Sequence, residues 1–199
     1  MSENATGATG AWSYRTGDWY AVFGASATVL LPASQKDQVV ALWALVDGGA
    51  AFDEVLDGLL ASGLSRLPGF VLVSTDEGPT RVLLRGAGVT ASLSADGEEV
   101  ELDGAASHTW VERSVEGVTA LGIALPPVDG AEESAESADL PVVTGLVRVG
   151  RVDRPAVLPA APAAVAEPEP IAEPVSGPVA EPVVAEPVVA EPVVAEPVV

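Results

Sequence analysis

The alternation of apolar and polar residues places a helical segment inside a run of strands. Between Gln35 and Phe70, apolar residues recur every three or four positions, which predicts two short amphipathic helices joined by a glycine turn. The first carries Val39, Val40, Leu42, Trp43, Leu45 and Val46, and the second Phe52, Val55, Leu56, Leu59 and Leu60. Helices this short need a partner surface. We therefore expect both apolar stripes, including Trp43, to be core; the alternative is a groove for a partner peptide.

Short polar signals predict where these helices begin and end. Ser34 followed by Asp37 is a weak capping box, which predicts the start of the first helix. Asp47-Gly48-Gly49 predicts its end, because glycine adopts the left-handed backbone that a helix exit needs. Gly63 is the predicted exit of the second helix.

On both sides of the helices the apolar period falls to two, which predicts strands. The predicted strands are Trp19–Phe23, Ala27–Leu31, Phe70–Ser74, Thr80–Arg85, Val89–Ser94, Glu98–Leu102, Thr109–Val115 and Val118–Leu125, with a weaker strand signal at Trp12–Arg15. Turn signals separate them, the strongest being Asp96-Gly97, and a last hairpin is predicted about Glu116-Gly117. The fold class is therefore α+β: a mostly antiparallel sheet of about eight strands, with a two-helix hairpin inserted after the second strand.

Composition divides the chain into four segments. We expect a flexible N-terminus at 1–11, an α+β domain at 12–125, an acidic linker at 126–154 and a disordered proline-rich tail at 155–199. Residues 140–149 are apolar enough to form a strand that docks on the domain or stays in the linker. The unit AEPVV repeats unchanged from Ala180 to Val199, and a proline at every fifth position forbids a continuous helix. Since a spacer normally joins two parts, we expect a further domain beyond it; a free tail is the alternative.

Charge and cysteine content exclude several classes of function. The 199 residues carry a net charge of −20, shared equally between 1–125 and the remainder. Such a chain repels phosphate backbones and anionic lipid, so we expect neither nucleic-acid nor membrane binding. It has no cysteine, no apolar run long enough to span a bilayer and no signal peptide, which predicts a cytoplasmic protein without thiolate metal sites.

The residues that could carry chemistry do not converge on a catalytic set. Gly86–Ala91 fits G-x-G-x-x-A, but a dinucleotide site needs a helix there and the pattern predicts a strand. His108 is the only histidine, and neither it nor the adjacent Ser107 has the partners that a metal site or a triad requires. The acids Glu98, Glu99, Glu101 and Asp103 are typical of a solvated edge strand. We expect no catalytic residues, no cofactor and no metal.

Tryptophans are the remaining candidates for binding. Trp12, Trp19, Trp43 and Trp110 are the only four, and no aromatic residue follows Trp110. Trp19 and Trp110 are expected either in the core or as exposed anchors.

Four stretches together carry a resemblance to a known family. They are GDWYAVFG from Gly17, ALWALVDGGAAFDEVLDGLLASGL from Ala41, LPGFVLV from Leu67 and SHTWVER from Ser107. The chain resembles the N-terminal region of bacterial proteins that carry a forkhead-associated (FHA) domain at their C-terminus. In that family a small α+β module is joined to the FHA domain by an acidic, proline-rich linker.

The phosphothreonine-binding signature of the FHA fold is absent from this chain. That signature is a Gly-Arg, a Ser-x-x-His and a later Asn, whereas here Asn4 is the only asparagine and Ser107 directly precedes His108. Gly150-Arg151 stands without the other elements. The resemblance therefore implies that a phosphopeptide-binding domain lies beyond Val199.

These observations favour a non-enzymatic interaction or signalling module with a protein partner, as the N-terminal part of a longer FHA-type protein. The alternative is a small-molecule-binding or enzymatic α+β domain with a pocket between helices and sheet, near Trp43 and His108. A third possibility is a kinase substrate, phosphorylated at Ser134, Ser137, Thr144 or Ser176.

Overall fold

Antiparallel strands form most of the molecule. A computed structural model describes residues 10–76, 78–127 and 139–157. These hold β1 (Trp12–Phe23), β2 (Ala27–Pro32), α1 (Lys36–Asp47), α2 (Phe52–Leu60), β3 (Phe70–Ser74), β4 (Thr80–Arg85), β5 (Thr90–Ala95), β6 (Glu98–Asp103), β7 (Val111–Val115), β8 (Val118–Ala124), β9 (Leu140–Val142) and β10 (Gly145–Arg154). The expectations for 1–9, for 128–138 in the linker and for 158–199 in the tail lie outside the described residues.

The predicted α+β class is confirmed, and its sheet is nearly closed into a barrel. Neighbouring strands follow the order β6–β5–β8–β10–β1–β2–β3–β4–β7, all antiparallel, while β9 pairs with β1. Backbone bonds join the ends of β4 and β6 across the seam: the Gly86 N–H donates to the Gly104 carbonyl over 3.1 Å. The Gly104 N–H in turn donates to the Val89 carbonyl over 2.8 Å.

Apolar side chains fill two separate cores, one inside the barrel and one under the helices. Strand β3 explains both, because all five of its residues are buried. Val71 and Val73 point into the barrel, while Phe70 and Leu72 contact the helical layer on the other face. Alternation sends successive side chains to opposite faces. A strand buried on both of its faces is thus what a sheet covered on both sides requires.

Strand β1 bends sharply, which lets the sheet curl. Trp12 and Phe23 lie at its two ends, yet their ring centroids are 5.4 Å apart, whereas eleven straight strand steps would span about 36 Å. The register against β10 shifts between Arg15 and Trp19. At this bulge Gly17 lies against Gly150, and a Cβ on Gly17 would come within 2.4 Å of the Gly150 Cα atom. Glycine is therefore required at the bend.

The structure answers one question that the sequence left open and overturns one expectation. The sheet does not stop at residue 125: the 140–149 segment docks as β9 and part of β10, and β10 lies between β1 and β8. Strands β7 and β8 do not form the hairpin expected about Glu116-Gly117. Instead, β7 pairs with β4, and β8 pairs with β5 and β10. Strand β8 places Leu121 and Ile123 in the barrel interior. It is hydrogen-bonded on both edges, to β5 and to β10, so β7 cannot pair with it.

Helix ends are set by glycine and by one carboxylate. Gly49 has a φ of 79°, and its N–H donates to the Val46 carbonyl, which confirms the predicted exit of α1. The expected Ser34 cap is wrong, because α1 begins at Lys36 without a side-chain cap. At α2, the Glu54 carboxylate accepts a hydrogen bond of 2.9 Å from the Ala51 N–H.

Candidate interaction surface

Helix α1 is held to the sheet by one side only. Val39, Leu42 and Val46 are buried against β1 and β2. Their spacing of three and four residues aligns them along one stripe. This part of the expected core is confirmed.

The outer side of α1 is apolar as well, and it faces solvent. Val40 is 60% exposed and Trp43 is 41% exposed, and the neighbouring Ala44 is exposed too. The expectation that Trp43 is a core residue is therefore wrong. Trp43 lies about 100° around the helix from Leu42. The Leu42 side chain can therefore be buried while that of Trp43 faces solvent.

The exposed stripe lies on the side of α1 that faces away from α2. On that side the next strand in the sheet is β10, whereas α1 itself covers β1 and β2 and α2 covers β2 and β3. The outer face of β10 carries Leu146, which is 43% exposed and sits opposite Val22. A surface of Val40, Trp43, Tyr20 and Leu146 results, and we name it the α1 surface.

Arg148 and Asp18 border the α1 surface with paired charges. The Arg148 guanidinium lies 5.3 Å from the centroid of the Tyr20 ring, within the range of a cation–π contact. Its Nη2 atom is 2.9 Å from the Asp18 carboxylate. The rim of the surface is thus polar while its centre is apolar, which is the ordinary anatomy of a protein interface.

Elsewhere, hydrogen bonds to carboxylates hold two arginines on the sheet. The bond to Asp139 raises the pKa of Arg15 above its ordinary value, and the bond to Glu112 raises the pKa of Arg81. Both side chains are surface groups, so these pairs position neighbouring segments and contribute little stability.

A separate cavity of about 600 Å³ opens at one end of the barrel. Its polar lining consists of Thr75, Asp76, Thr80, Thr119 and Arg154. The Arg154 guanidinium stacks 5.6 Å from the Trp12 ring centroid, and Arg154 also lines an adjoining cavity of about 260 Å³. Arg154 is the cationic side chain of this lining, and the Asp76 carboxylate lies in the same lining.

The remaining candidate sites from the sequence are surface features. Gly86–Ala91 leads into β5, so no helix N-terminus is available for a pyrophosphate. His108 is exposed in the loop before β7, as expected. The four acids of β6 are exposed on an edge strand, as expected. Among the described residues, no group of three or more His, Asp or Glu side chains could hold a metal ion.

The other tryptophans divide between the two cores. Trp12 and Trp19 are buried inside the barrel, and the Trp19 indole N–H donates to the Pro126 carbonyl over 3.0 Å. Trp110 is half-buried beside the helical layer.

Between the helices and the sheet lie the buried side chains of the second core. Neither Trp43 nor His108 lines the two cavities at the barrel end. Of the possible phosphorylation sites, Thr144 is exposed in the turn between β9 and β10, and the three serines lie outside the described residues.

Sequence reasoning missed the α1 surface although a signal was present. Six of the eight residues from Val39 to Val46 belong to the expected core stripe, but a helix that buries one side needs only three or four apolar residues in two turns. The surplus in α1 indicates a second apolar side.

No helix within the described ranges has both the length and the apolar character needed to cross a membrane. Comparisons with protein-family models, with curated proteins and with solved structures found no match to this chain.

Proposed function

We propose that this domain is a non-enzymatic protein-interaction module that binds its partner through the α1 surface. The observation that carries the proposal is the exposure of Val40 and Trp43 on α1, together with that of Leu146 on β10, the strand next to those that α1 covers. Single exposed apolar residues are common on any protein, but a cluster that includes tryptophan and has a charged rim is typical of an interface.

Trp43 gives the α1 surface a side chain that is effective in binding. Covering apolar surface contributes about 25 cal/mol per Å² removed from water. A buried tryptophan anchor commonly costs ~2 kcal/mol or more of binding when it is truncated. Trp43 sits on a helix anchored by Val39, Leu42 and Val46, so little ordering is needed before a partner docks.

Affinity capture tests this function. The immobilised chain and the double variant Val40→Gln/Trp43→Gln are exposed to an extract of the cells that produce the protein, and retained proteins are quantified by mass spectrometry. We expect a defined set of proteins that the wild type retains and the double variant loses.

The matched control is Leu64→Gln, since Leu64 is 47% exposed but lies outside the α1 surface. The control is expected to retain the same proteins as the wild type. Equal retention by the wild type and by the α1 double variant would remove the proposal.

The resemblance of Gly17–Leu125 to FHA-containing proteins supports a wider role. In this role the domain is the N-terminal part of a signalling protein, and a phosphopeptide-binding domain follows the AEPVV repeats. Reading the gene beyond the codon for Val199 tests this directly. An open frame that encodes an FHA domain is expected, and an immediate stop codon would contradict it.

The cavity at the barrel end favours a second candidate function, the binding of a small anionic ligand. Arg154 supplies the cation, and Thr80 supplies a hydroxyl group, whereas the Thr75 and Thr119 hydroxyls already donate to the Ala25 and Ser94 carbonyls. A thermal-shift screen of anionic metabolites tests it, because a bound ligand raises the melting temperature by mass action. A rise that Arg154→Met abolishes is expected, and no rise with any anion would reject this function.

A further inference from the structure

Four exposed residues on the outer side of α1 form a stripe with opposite charges at its ends. Lys36, Val40, Trp43 and Asp47 are separated by four, three and four positions. This is the spacing of a coiled-coil seam. On a helix of 3.6 residues per turn, the four side chains fall within about 60° of one another.

The stripe is complementary to itself. An axis perpendicular to the helix, passing midway between Ala41 and Leu42, exchanges Val40 with Trp43 and Lys36 with Asp47. If a second α1 packs antiparallel about this axis, each Val40 meets the other copy's Trp43. Each Lys36 then meets the other copy's Asp47, at both ends of the contact. A two-fold interface requires such self-complementarity.

The two charges are placed against the preference of their own helix. Lys36 is in the first turn of α1 and Asp47 is in the last, whereas a helix favours acids at its N-terminus and bases at its C-terminus. Asp37 is the favourable exception in the first turn. Neither Lys36 nor Asp47 forms an ion pair within the described ranges. Antiparallel packing supplies both missing partners, since it sets each helix start beside the other copy's helix end.

Beside α1, the outer face of the sheet carries one further exposed apolar residue. Strand β10 lies beside the strands that α1 covers, and its outward Leu146 is exposed.

We propose that two copies of this chain associate through an antiparallel contact between their α1 helices, centred on Val40 and Trp43. The proposal rests on the proposed function, because it names the partner of the same surface. Two helices of twelve residues bury less than the roughly 800 Å² per partner of a standard interface, and the net charge of −20 opposes association. The dimer is therefore weak and reversible.

Charge reversal tests the pairing by sedimentation equilibrium of the full purified chain at physiological salt. Lys36→Glu and Asp47→Lys each place like charges together at both ends of the contact. Each single variant is expected to weaken dimerisation by about tenfold or more. The double variant Lys36→Glu/Asp47→Lys restores opposite charges and is expected to dimerise like the wild type.

An equimolar mixture of the two single variants is the sharper experiment. In the mixed dimer, the glutamate introduced at position 36 of one copy meets the lysine introduced at position 47 of the other. At the opposite end of the contact, the unchanged Asp47 of the first copy meets the unchanged Lys36 of the second. The mixture is expected to dimerise more strongly than either variant alone.

A stability readout separates this effect from damage to the fold. Each single reversal improves the match with the helix dipole, so each is expected to raise the melting temperature of the monomer by about 1 to 4 °C. Loss of dimer with a gain in stability is not expected from a variant that misfolds.

Two outcomes would overturn the proposal: a wild type that stays monomeric at the highest attainable concentration, or a mixture no more dimeric than its components. The sedimentation experiment uses purified protein and tests self-association alone. The capture experiment tests the proposed interaction function, so the two proposals can fail independently of each other.

Discussion

Helices α1 and α2 are neighbours of similar length, yet they use their outer sides differently. In α2, Phe52, Val55 and Leu59 are buried and the exposed side carries Asp53, Glu54 and Asp57. In α1, the exposed side carries Val40 and Trp43, with charge mainly at the helix ends. Helix α2 is an ordinary surface helix, whereas α1 has the composition of a helix that is covered on two sides.

The helices also differ in how polar groups hold them. Arg81 on β4 contacts the Asp53 carboxylate over 3.1 Å and Glu112 on β7 over 3.1 Å. Its guanidinium lies 4.3 Å from the Phe52 ring centroid. Within the described residues, α1 has no ion pair of this kind. Helix α2 is thus completed by contacts within its own domain, whereas α1 leaves an apolar side exposed.

The buried sides of the two helices are expected to be equivalent. Leu42→Ala in α1 and Leu59→Ala in α2 each remove a side chain with at most 1% exposure. Each is expected to lower the free energy of unfolding by about 2–5 kcal/mol, because a cavity replaces packed atoms. Urea denaturation measures both. A loss below about 1 kcal/mol for Leu42→Ala alone would mean that α1 is not anchored to the sheet.

Arg81 should matter for α2 and leave α1 unaffected. Arg81→Met keeps the apolar stem but removes the ion pairs and the contact with Phe52. We expect a loss of about 1 kcal/mol, allowing for solvent screening of these surface pairs. Amide hydrogen exchange should show faster opening in α2 than in α1. Equal acceleration in both helices would contradict separate anchoring.

A side-chain oxygen added at the N-cap residue of α2 is expected to stabilise the helix. Ala51 occupies the N-cap position with extended backbone, and Glu54 already bonds its N–H. Ala51→Ser supplies the missing side-chain acceptor and should raise the free energy of unfolding by about 0.5–1 kcal/mol. The double variant Ala51→Ser/Glu54→Ala is the control and should lose this gain. Thermal denaturation distinguishes the two.

The exposed side of α1 should contribute least to stability. Val40→Ala removes a 60% exposed side chain and introduces a better helix former. The free energy of unfolding in dilute solution is therefore expected to change by less than about 0.5 kcal/mol. A loss of more than about 1 kcal/mol would place Val40 in the core and would end the distinction between the two helices.

The sequence predicted the elements well and their partners less well. Period and turn chemistry located both helices and the Asp96-Gly97 turn, where both residues have positive φ. They could not show that β8 pairs with β10, because such long-range pairing leaves no local mark. Proline-rich neighbours obscured β10, whose Val149 and Val152 complete the barrel core.

The α1 surface was visible in the sequence only as a surplus of apolar residues. A helical pattern indicates which residues share one face of the helix. It does not indicate how many of the helix faces are buried in the domain. Trp43 was therefore assigned to the core with Leu42, although the two point in directions about 100° apart.

Site-specific cross-linking tests the central claim, that the outer side of α1 binds a second copy. The chain has no cysteine, so Val40→Cys on α1 and Asp57→Cys on the exposed side of α2 each introduce a single thiol. A short bis-maleimide reagent then reports which sides of two chains meet, read as covalent dimer on a denaturing gel. We predict rapid cross-linking through position 40 and only the slow collisional background through position 57. Equal rates at the two positions would contradict the account.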